Sequence, residues 1–445
     1  MTMFTPAIAR VKREYEKLLP ESAIAQALEL CGYRGRKRIL TPAQSVYLLL
    51  LQLLHQTALS GLRHVAAIEA TASAICQARA RLPLQLMILL VERAAATLTQ
   101  AGPATAALFC GLEVLLLDAS SAQSQDTPEL AGQYGKPKNQ HGVIGGYPSL
   151  KLLCLMNYAT GMITRLIDLP RDRQEHRVLG RILGHLTPGR VLLADRGLVS
   201  FAFLAQILVG GGQACLRLPA RQIAGSSAMR KVVRVLGRRR DLVDELVCWK
   251  KSPRACQSLT RRDYAALPAE LLLRQIRFRL TQPGFRPDLI TVITTLADPA
   301  KYPAEEIAQL YLRRWQIEVY FRDLKRSQGL LRLRARTLAG AKKELLGHVL
   351  LYNLVRGVMR DAAQRQNVAP DRLSFRDALR HLRHAADAPG EAPVPVKLLV
   401  NPRRRRKSQP RRVKYINLRY PNLQKPRASY QTQLNAVPRF RGSLT

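Results

Sequence analysis

Hydrophobic and polar positions follow a helical period through the first hundred residues of the chain. Thr41 followed by Pro42 is a typical helix start, with an N-cap residue before a proline in the first turn. The helix that they open carries the apolar run 46–54. We therefore predict a helical domain over residues 1–105.

Two short helices are predicted within that domain, over 62–69 and 71–80. The second carries polar side chains suited to reading DNA if the pair forms a helix-turn-helix; they are Gln77, Arg79 and Arg81. An ordinary helical bundle with an exposed basic face explains the same pattern. Both interpretations stay open on these residues alone.

The pattern changes at Gly111, where short apolar runs of strand length replace the helical period. The first run, 112–117, ends at Asp118, and the polar, turn-rich stretch 119–148 is predicted to be a long loop. Two strands, a helix, a strand, a helix and a strand are predicted next; they are 150–158, 162–169, 175–186, 190–194, 201–209 and 214–218. The order β-β-β-α-β-α-β predicts an α/β fold with a ribonuclease-H-like core.

Four further strand-length runs interrupt this core, separated by basic or Pro- and Gly-containing turns; they are 232–236, 245–250, 271–280 and 289–295. Helical patterns return over 340–359 and 372–385. We predict a helical domain, the first part of the core, a β-rich insertion, the completed core, and a proline-containing linker with a basic tail. Their bounds are 1–105, 106–218, 219–295, 296–385 and 386–445.

Composition adds a strong positive charge to this picture. The 445 residues include 71 Lys and Arg against 31 Asp and Glu, a formal net charge of +40. Because 47% of the residues are hydrophobic, the charge indicates a folded protein with a polyanionic partner, for which nucleic acid is the best candidate. The segment 403–445 has thirteen Lys or Arg and no Asp or Glu, as in nucleic-acid-binding tails.

Other classes of protein are disfavoured by the same sequence. The seven cysteines are dispersed without a C-x2-C pair, which disfavours a zinc ribbon or a disulfide framework and fits a reducing compartment. The first residues do not resemble a signal peptide, and the run 46–54 is far shorter than the ~20 residues of a membrane span. We expect a cytoplasmic protein without a membrane partner.

The most informative stretch is 311–325, YLRRWQIEVYFRDLK. No Gly or Pro interrupts it, and its apolar residues recur at helical spacing, which predicts one helix. Four polar residues fall within one sector of roughly 60° at about 100° per residue; they are Tyr311, Arg314, Glu318 and Lys325. Four apolar residues on the adjoining sector would bury the helix; they are Leu310, Ile317, Phe321 and Leu324. A solvated face with i,i+4 ion pairs has the same spacing, but it explains Trp315 poorly.

This spacing, Y-x2-R-x3-E-x6-K, resembles the signature of the YREK group of DDE transposases, the insertion-sequence-four family of bacterial mobile elements. The resemblance extends from about residue 40 to the basic tail, and it implies a DNA-binding role for the domain 1–105. Asp195-Arg196-Gly197 resembles the second acidic motif of the family, and Asp118 is placed like the first. Ala119 stands where relatives usually have Gly.

Three carboxylates carry the predicted chemistry. Asp118 and Asp195 each follow an apolar strand, and ligand crevices of α/β sheets lie beyond the carboxyl ends of strands. Two-metal phosphodiester cleavage needs carboxylates that converge from separate elements, although a turn-forming Asp would explain either strand end alone. The resemblance implies that Asp118, Asp195 and Glu318 are catalytic and hold two Mg²⁺ (or Mn²⁺) ions, which prefer oxygen ligands.

The resemblance also implies DNA contacts on the same helix. Tyr311, Arg314 and Lys325 would bind phosphates, and Trp315 would stack beside a flipped base. Trp249 matches no motif and is predicted to be a packing residue.

The implied activity is cut-and-paste transposition of an insertion sequence, through a hairpin intermediate, on double-stranded DNA of the element ends and the target. Two protomers would pair two ends, close to the bacterial nucleoid. The alternatives are an inactive DNA-binding relic of a transposase and a ribonuclease-H-like nuclease that cuts without joining. The three carboxylates disfavour the first, and Trp315 disfavours the second.

Overall fold

The computed structural model describes the greater part of the chain. The described residues are 19–35, 39–66, 68–100, 108–138, 145–219, 222–223, 229–254, 256, 258–280, 288–387 and 397–401. Most of the predicted linker and basic tail lies outside them.

Helices form the N-terminal region; they are α1 (Glu21–Leu30), α2 (Pro42–His55), α3 (Leu59–Ala66), α4 (Ala72–Arg81) and α5 (Leu84–Gln100). The predicted start of α2 is confirmed, since the Thr41 side chain accepts a hydrogen bond from the backbone N–H of Gln44 in a capping box. Its apolar run is buried in the core. On α4, Gln77 and Arg81 are exposed, whereas the Arg79 guanidinium is turned inward and donates to Gln52 Oε1.

No single described helix is long and apolar enough to cross a membrane. Two pairs of helices reach that length and composition only when joined across bends of 101° and 80°. They are Pro42–His55 with Leu59–Ala66, and Ala72–Arg81 with Leu84–Thr97.

One mixed sheet of nine strands runs through the rest of the molecule in the order β3-β2-β1-β4-β5-β9-β8-β7-β6. Its first five strands are β1 (Glu113–Gln123), β2 (Ser149–Asn157), β3 (Ile163–Pro170), β4 (Arg190–Ala194) and β5 (Gln213–Arg217). β4 lies parallel to β1 and β5, while β2 lies antiparallel to β1 and β3. The element between β3 and β4 is a 3₁₀ helix, Glu175–His185, and α7 (Phe201–Val209) connects β4 to β5.

The predicted loop 119–148 is wrong in two places. β1 continues past Asp118 to Gln123, because Ala119 to Gln123 keep pairing with β2. A short helix, α6 (Pro128–Tyr134), then starts at a Thr127 cap. The strand adds regular backbone to both sides of Asp118, where local polarity had indicated a turn.

The predicted insertion strands are present; they are β6 (Arg230–Arg239), β7 (Leu242–Lys250), β8 (Glu270–Leu280) and β9 (Asp288–Thr294), with a short helix α8 (Arg261–Ala265) between β7 and β8. They do not form a sheet of their own. β9 pairs with β5, so the four strands extend the sheet of the first five.

The last helices are α9 (Ala304–Leu312), α10 (Gln316–Arg322), α11 (Leu338–Gln366) and α12 (Phe375–Asp387). They and the N-terminal helices cover one face of β1 to β4, where Val114 and Leu116 join their apolar core. The opposite face packs on α7 and the 3₁₀ helix before β4. Because side chains alternate along a strand, Asp118 continues the face of Val114 and Leu116 and meets the C-terminal helices.

Candidate active site at the carboxylate cluster

Asp118 and Asp195 occupy equivalent places in neighbouring parallel strands. The last paired residues of β1 and β4 are Leu117 and Ala194, so each Asp is the next residue of its own strand. Asp195 follows β4 directly, as predicted, whereas Asp118 lies within β1. The two carboxylates therefore come to one edge because strand register aligns them, although they are far apart along the chain.

The stretch 311–325 is helical but not one regular α-helix. α9 ends at Leu312, a 3₁₀ turn covers Arg313–Trp315, α10 follows, and a π turn covers Asp323–Ser327. The predicted apolar face is confirmed, because Leu310, Ile317 and Leu324 are at most 1% exposed. The changes of winding place the polar residues differently from an ideal helix, since 3₁₀ and π turns advance by other angles per residue.

Tyr311 faces the sheet and not solvent. Its side chain is buried, and its hydroxyl donates to the carbonyl oxygen of Ala194 at 3.5 Å, one residue before Asp195. Burial raises the pKa of this phenol well above its ordinary value, so it stays a neutral donor. This geometry does not support the predicted phosphate contact and instead gives Tyr311 a role in fixing the end of β4.

Arg314 joins two of the carboxylates. Its Nη1 lies 3.3 Å from Asp118 Oδ2 and its Nη2 lies 4.0 Å from Glu318 Oε1. Only 5% of the Arg314 side chain is exposed, against 55% of the Glu318 side chain. In this structure the guanidinium therefore neutralises the acidic cluster and does not stand open to a phosphate.

Lys325, on the π turn, contacts β1, the strand that carries Asp118. Its Nζ donates to Ser120 Oγ at 3.2 Å, and Ser120 lies two residues beyond Asp118 on the same face of β1. Sequence reasoning missed Ser120 because it placed that residue in a loop. Had the strand been extended past Asp118, the alternation of side chains would have placed Ser120 on the same face as Asp118.

The groups around Asp118 act on its pKa in both directions. Burial raises the pKa of Asp118, and repulsion from Asp195 and Glu318 raises it further. The backbone N–H of Ala119, 2.8 Å from Asp118 Oδ1, and the Arg314 charge both lower this pKa. Ala119 itself lies in regular strand opposite Leu153, a conformation that tolerates its methyl group.

The donor set suits a hard divalent cation, which prefers carboxylate oxygens. Asp195 Oδ1 is buried and accepts no hydrogen bond from the described part of the chain, so it offers a lone pair to such a cation. Within that same part, no three His, Cys, Asp or Glu side chains stand close enough to hold a metal between them. Between Asp118 and Glu318 lies the Arg314 guanidinium, 3.3 Å from the first carboxylate and 4.0 Å from the second.

The two tryptophans differ in exposure. Trp249 is buried, 6.0 Å edge-on from Phe201 and under the Arg230 guanidinium at 3.8 Å, which confirms it as a packing residue. Trp315 is 41% exposed, and its ring centroid lies 5.2 Å from Arg314 Cζ. An exposed indole at the edge of an acidic cluster is available to stack on a partner.

Comparisons with known proteins identify the family of this chain. A family model described as "Transposase DDE domain" matches residues 110–354, more than half of the chain, from the strand before Asp118 to beyond Lys325. The transposase InsG for insertion sequence element IS4 of Escherichia coli (strain K12) is 28% identical over 369 residues, which are 79% of this chain and 78% of that protein.

Among solved structures, a cryo-EM structure of the piggyBac transposase synaptic complex with hairpin DNA covers 86% of this chain and 80% of its own, at 9% identity and a TM-score of 0.44. That likeness is too low to carry an argument. The family match stands on the sequence, and the chain belongs to the DDE transposases of the insertion-sequence-four family.

Proposed function

We propose that this DNA transposase moves an insertion sequence by a cut-and-paste route. Water would attack the phosphodiester at an element end and free a 3′-hydroxyl, which attacks the opposite strand to form a hairpin. After the hairpin opens, the same hydroxyl attacks target DNA. Each step replaces one phosphodiester by another bond to phosphorus, so no high-energy cofactor is required.

The observation that carries the proposal is that Arg314 bridges Asp118 and Glu318, while Asp195 follows the neighbouring strand in register with Asp118. Asp118, Asp195 and Glu318 come from two adjacent strands and one helix, and burial, with smaller contributions from the charges of Asp195 and Glu318, raises the pKa of Asp118. Like charges are costly to gather in a partly buried site unless a cation completes it. A purely structural role does not explain why an Asp195 oxygen is left without a partner among the described residues.

Asp118, Asp195 and Glu318 would hold two Mg²⁺ or Mn²⁺ ions. When bound, such ions activate the attacking oxygen and stabilise the leaving one. Arg314 would keep Asp118 and Glu318 in place before loading and turn toward a phosphate oxygen as the carboxylates bind the ions. Glu318, more than half exposed, has room to make that change.

The surroundings of this cluster support DNA as the substrate. Lys325 has a compact positive charge at Ser120, two residues beyond Asp118 on β1, suited to a phosphate of the strand being cut. Trp315 would hold a base extruded from the helix, because aromatic faces stack on unpaired bases.

The fold supports the same proposal. We propose that the strands in the order β3-β2-β1-β4-β5, with a parallel β1-β4-β5 segment, form the ribonuclease-H-like core that the sequence predicts. We further propose that residues 1–105 bind the element ends, with Gln77 and Arg81 exposed on α4. Two protomers would pair two ends, in the nucleoid of a bacterial cytoplasm, and the tail 403–445 would add charge contacts to DNA.

The test is the Glu318→Gln variant, assayed on a duplex that carries an end of the element encoding this chain. We expect cleavage with Mg²⁺ to fall by about a thousandfold, since a metal ligand contributes several kcal/mol to this chemistry. Binding of the same duplex should stay within about threefold, because the phosphate contacts remain.

Glu305→Gln is the matched control. Glu305 lies on α9 of the same helical run, is similarly exposed at 47%, and also pairs with an arginine, Arg239. Cleavage by Glu305→Gln should equal that of the parent. Equal cleavage by Glu318→Gln and the parent would contradict the metal assignment, and DNA binding without cleavage by the parent would leave only the relic interpretation.

A further inference from the structure

A buried ion pair joins the helical stretch 311–325, called here the signature helix, to α11. Asp323 Oδ2 lies 3.0 Å from Arg356 Nη2, with 11% and 4% of the two side chains exposed. Three aromatic rings surround the Arg356 guanidinium, with centroids 4.5 Å away for Tyr320 and 5.2 Å away for Tyr352 and Phe375. The Tyr352 hydroxyl accepts from Arg356 Nε at 3.0 Å. These rings and the Tyr352 hydroxyl therefore hold the Arg356 guanidinium in place beside Asp323.

This cluster leaves little freedom to its members. Tyr320 donates to the Tyr158 carbonyl at 2.9 Å, and a Cβ added at Gly161 would stand 3.0 Å from the Tyr320 ring and 3.1 Å from Arg356 Nε. Burying two charges is costly even when they are paired, so a buried pair is weak evidence of a gain in stability. Its better-attested use is to fix one arrangement of the chain.

The arrangement that it fixes is the π turn Asp323–Ser327. Asp323 opens this turn, and its carbonyl accepts from the Gln328 N–H at 3.0 Å. A π turn takes more residues per turn than an α-helix and occurs often at functional sites. Anchoring the first side chain of the turn therefore determines the direction of those that follow, including Lys325.

Lys325 and the next residues then meet β1. Lys325 Nζ reaches Ser120 Oγ, one pleat beyond Asp118. Farther along, the Gln123 N–H donates to the Leu331 carbonyl at 2.9 Å, and the Leu333 N–H donates to the Gln123 carbonyl at 2.8 Å. The turn is held by β1 at its exit and by Arg356 at its entry.

We propose that Asp323 and Arg356 are positioning residues that hold the π turn so that the Lys325 ammonium stays at Ser120, two residues beyond Asp118 on β1. This inference rests on the proposed function, in which Lys325 contacts a DNA phosphate. Asp323 and Arg356 act only through Lys325 and touch neither the DNA nor the three carboxylates of the site.

The molecule contains a matched pair for comparison. Asp244 and Arg274 also form a buried pair, with 6% and 1% of the side chains exposed, between β7 and β8. Arg274 donates to both carboxylate oxygens, at 2.7 Å and 2.5 Å. Asp323→Asn and Asp244→Asn remove the same charge from the same kind of pair, so both should lower the melting temperature.

The first test is a double-mutant cycle on strand cleavage, with each variant assayed where it is fully folded. Asp323→Asn should reduce cleavage by about 10–100-fold, the effect of misplacing a group by about 1 Å. On a Lys325→Ala background the same substitution should cause almost no further loss. Asp244→Asn should change cleavage little on either background. Additive losses from Asp323→Asn and Lys325→Ala would overturn the proposal.

The second test does not depend on cleavage. The salt dependence of binding to the element-end duplex counts phosphate contacts, with a slope change of about 0.9 for each one lost. Lys325→Ala and Asp323→Asn should each lower the slope by about this amount, whereas Asp244→Asn should not. If the parent binds the duplex without cutting it, the proposed function fails while the slopes still decide the inference.

Tyr352→Phe covers the case in which Asp323→Asn does not fold. It removes only the hydroxyl that accepts from Arg356 Nε and keeps the ring. It should show the same lack of additivity with Lys325→Ala, at a smaller loss of cleavage. A normal cleavage rate and salt slope in Tyr352→Phe, together with additivity in Asp323→Asn or in Arg356→Lys, would exclude a positioning role.

Discussion

The acidic residues in the two halves of the sheet differ in how completely arginines pair with them. In the half formed by β6–β9, called here the basic half, both oxygens of Asp244 accept hydrogen bonds from Arg274. In the half formed by β1–β5 and the helices that cover them, called the carboxylate half, Arg314 approaches Asp118 at 3.3 Å and Glu318 only at 4.0 Å. One oxygen of Asp195 has no partner in the described ranges.

The difference distinguishes a closed carboxylate–arginine pair from the open cluster for which we propose a catalytic role. A closed pair such as that of Asp244 satisfies its charge internally, which suits a strand-to-strand brace. An open cluster keeps oxygen lone pairs free at a cost in folding, which natural proteins accept at functional sites. Net charge alone does not show this distinction, since it does not record which carboxylates are paired.

The largest effect is expected from removing one charge in each half. Asp195→Asn should reduce cleavage of an element-end duplex by about a thousandfold, because it removes a ligand from the open cluster. Asp244→Asn should cost about 3–5 kcal/mol of stability by leaving Arg274 buried without its partner, yet the folded fraction should cut normally. Gel-based cleavage rates and urea unfolding measure the two quantities. Loss of cleavage in both variants would remove the distinction between the halves.

A smaller effect is expected from the exposed indole of the carboxylate half. Trp315→Ala should slow hairpin formation about tenfold or more, since a stacked base is worth about 1–3 kcal/mol. The first nick should be slowed less, because it precedes extrusion of the base. Denaturing gels resolve nicked from hairpin product, and Trp249→Phe, a change at a buried packing residue in the basic half, is the comparison. Equal slowing of both steps would exclude a stacking role.

The halves should also differ in their response to acid. Burial lowers the pKa of His348 to about 3, and the sequence has no His between 186 and 347. The imidazole of the unfolded chain binds a proton near pH 6.5, whereas that of the folded protein binds one only near pH 3. The free energy of unfolding therefore decreases as pH falls from about 6.5 toward 3. At pH 5.5 the loss should be about 1.4 kcal/mol relative to neutral pH.

Urea unfolding of the parent and of His348→Gln at pH 7.5 and pH 5.5 measures that loss. The variant should lose less stability than the parent over this interval, by about 1 kcal/mol. An identical loss in both proteins would mean that another group on the carboxylate half is the source of the acid sensitivity.

The smallest effect is expected at the edge of the basic half. β6 exposes Lys231, Arg234, Arg238 and Arg239, and at the sheet edge these cations face solvent. Replacing Lys231 and Arg234 by Gln should weaken DNA binding by a few-fold and lower its salt slope by at most about 1.8, while cleavage at saturating DNA stays unchanged. A loss of cleavage at saturating DNA would place this edge within the site and blur the comparison.

Much of the element order follows from local sequence. The bounds of β4 and α7 agree with the predicted 190–194 and 201–209, because short apolar runs between turn residues have few alternatives. The apolar face of the signature helix is likewise a property of spacing. Tyr311, Arg314, Glu318 and Lys325 match the signature by their spacing along the chain. That spacing does not depend on whether the helix is wound as α, 3₁₀ or π.

Contacts between distant segments decided the rest. β1 extends beyond Asp118 because β2 and the segment after the π turn pair with it, and polarity alone carries no trace of those partners. Arg314 and Tyr311 are buried because α9 and α10 lie on the sheet, although their residue types indicate a solvated face.

The amino-acid sequence by itself determined which residues have the right chemistry and which elements carry them, since propensity, period and spacing act over a few neighbouring residues. Only the tertiary structure decided that Asp118 and Asp195 share one edge, that Arg314 bridges Asp118 and Glu318, and that β6–β9 continue one sheet. Strand register and burial set these relations, and both depend on residues that lie far apart in the chain.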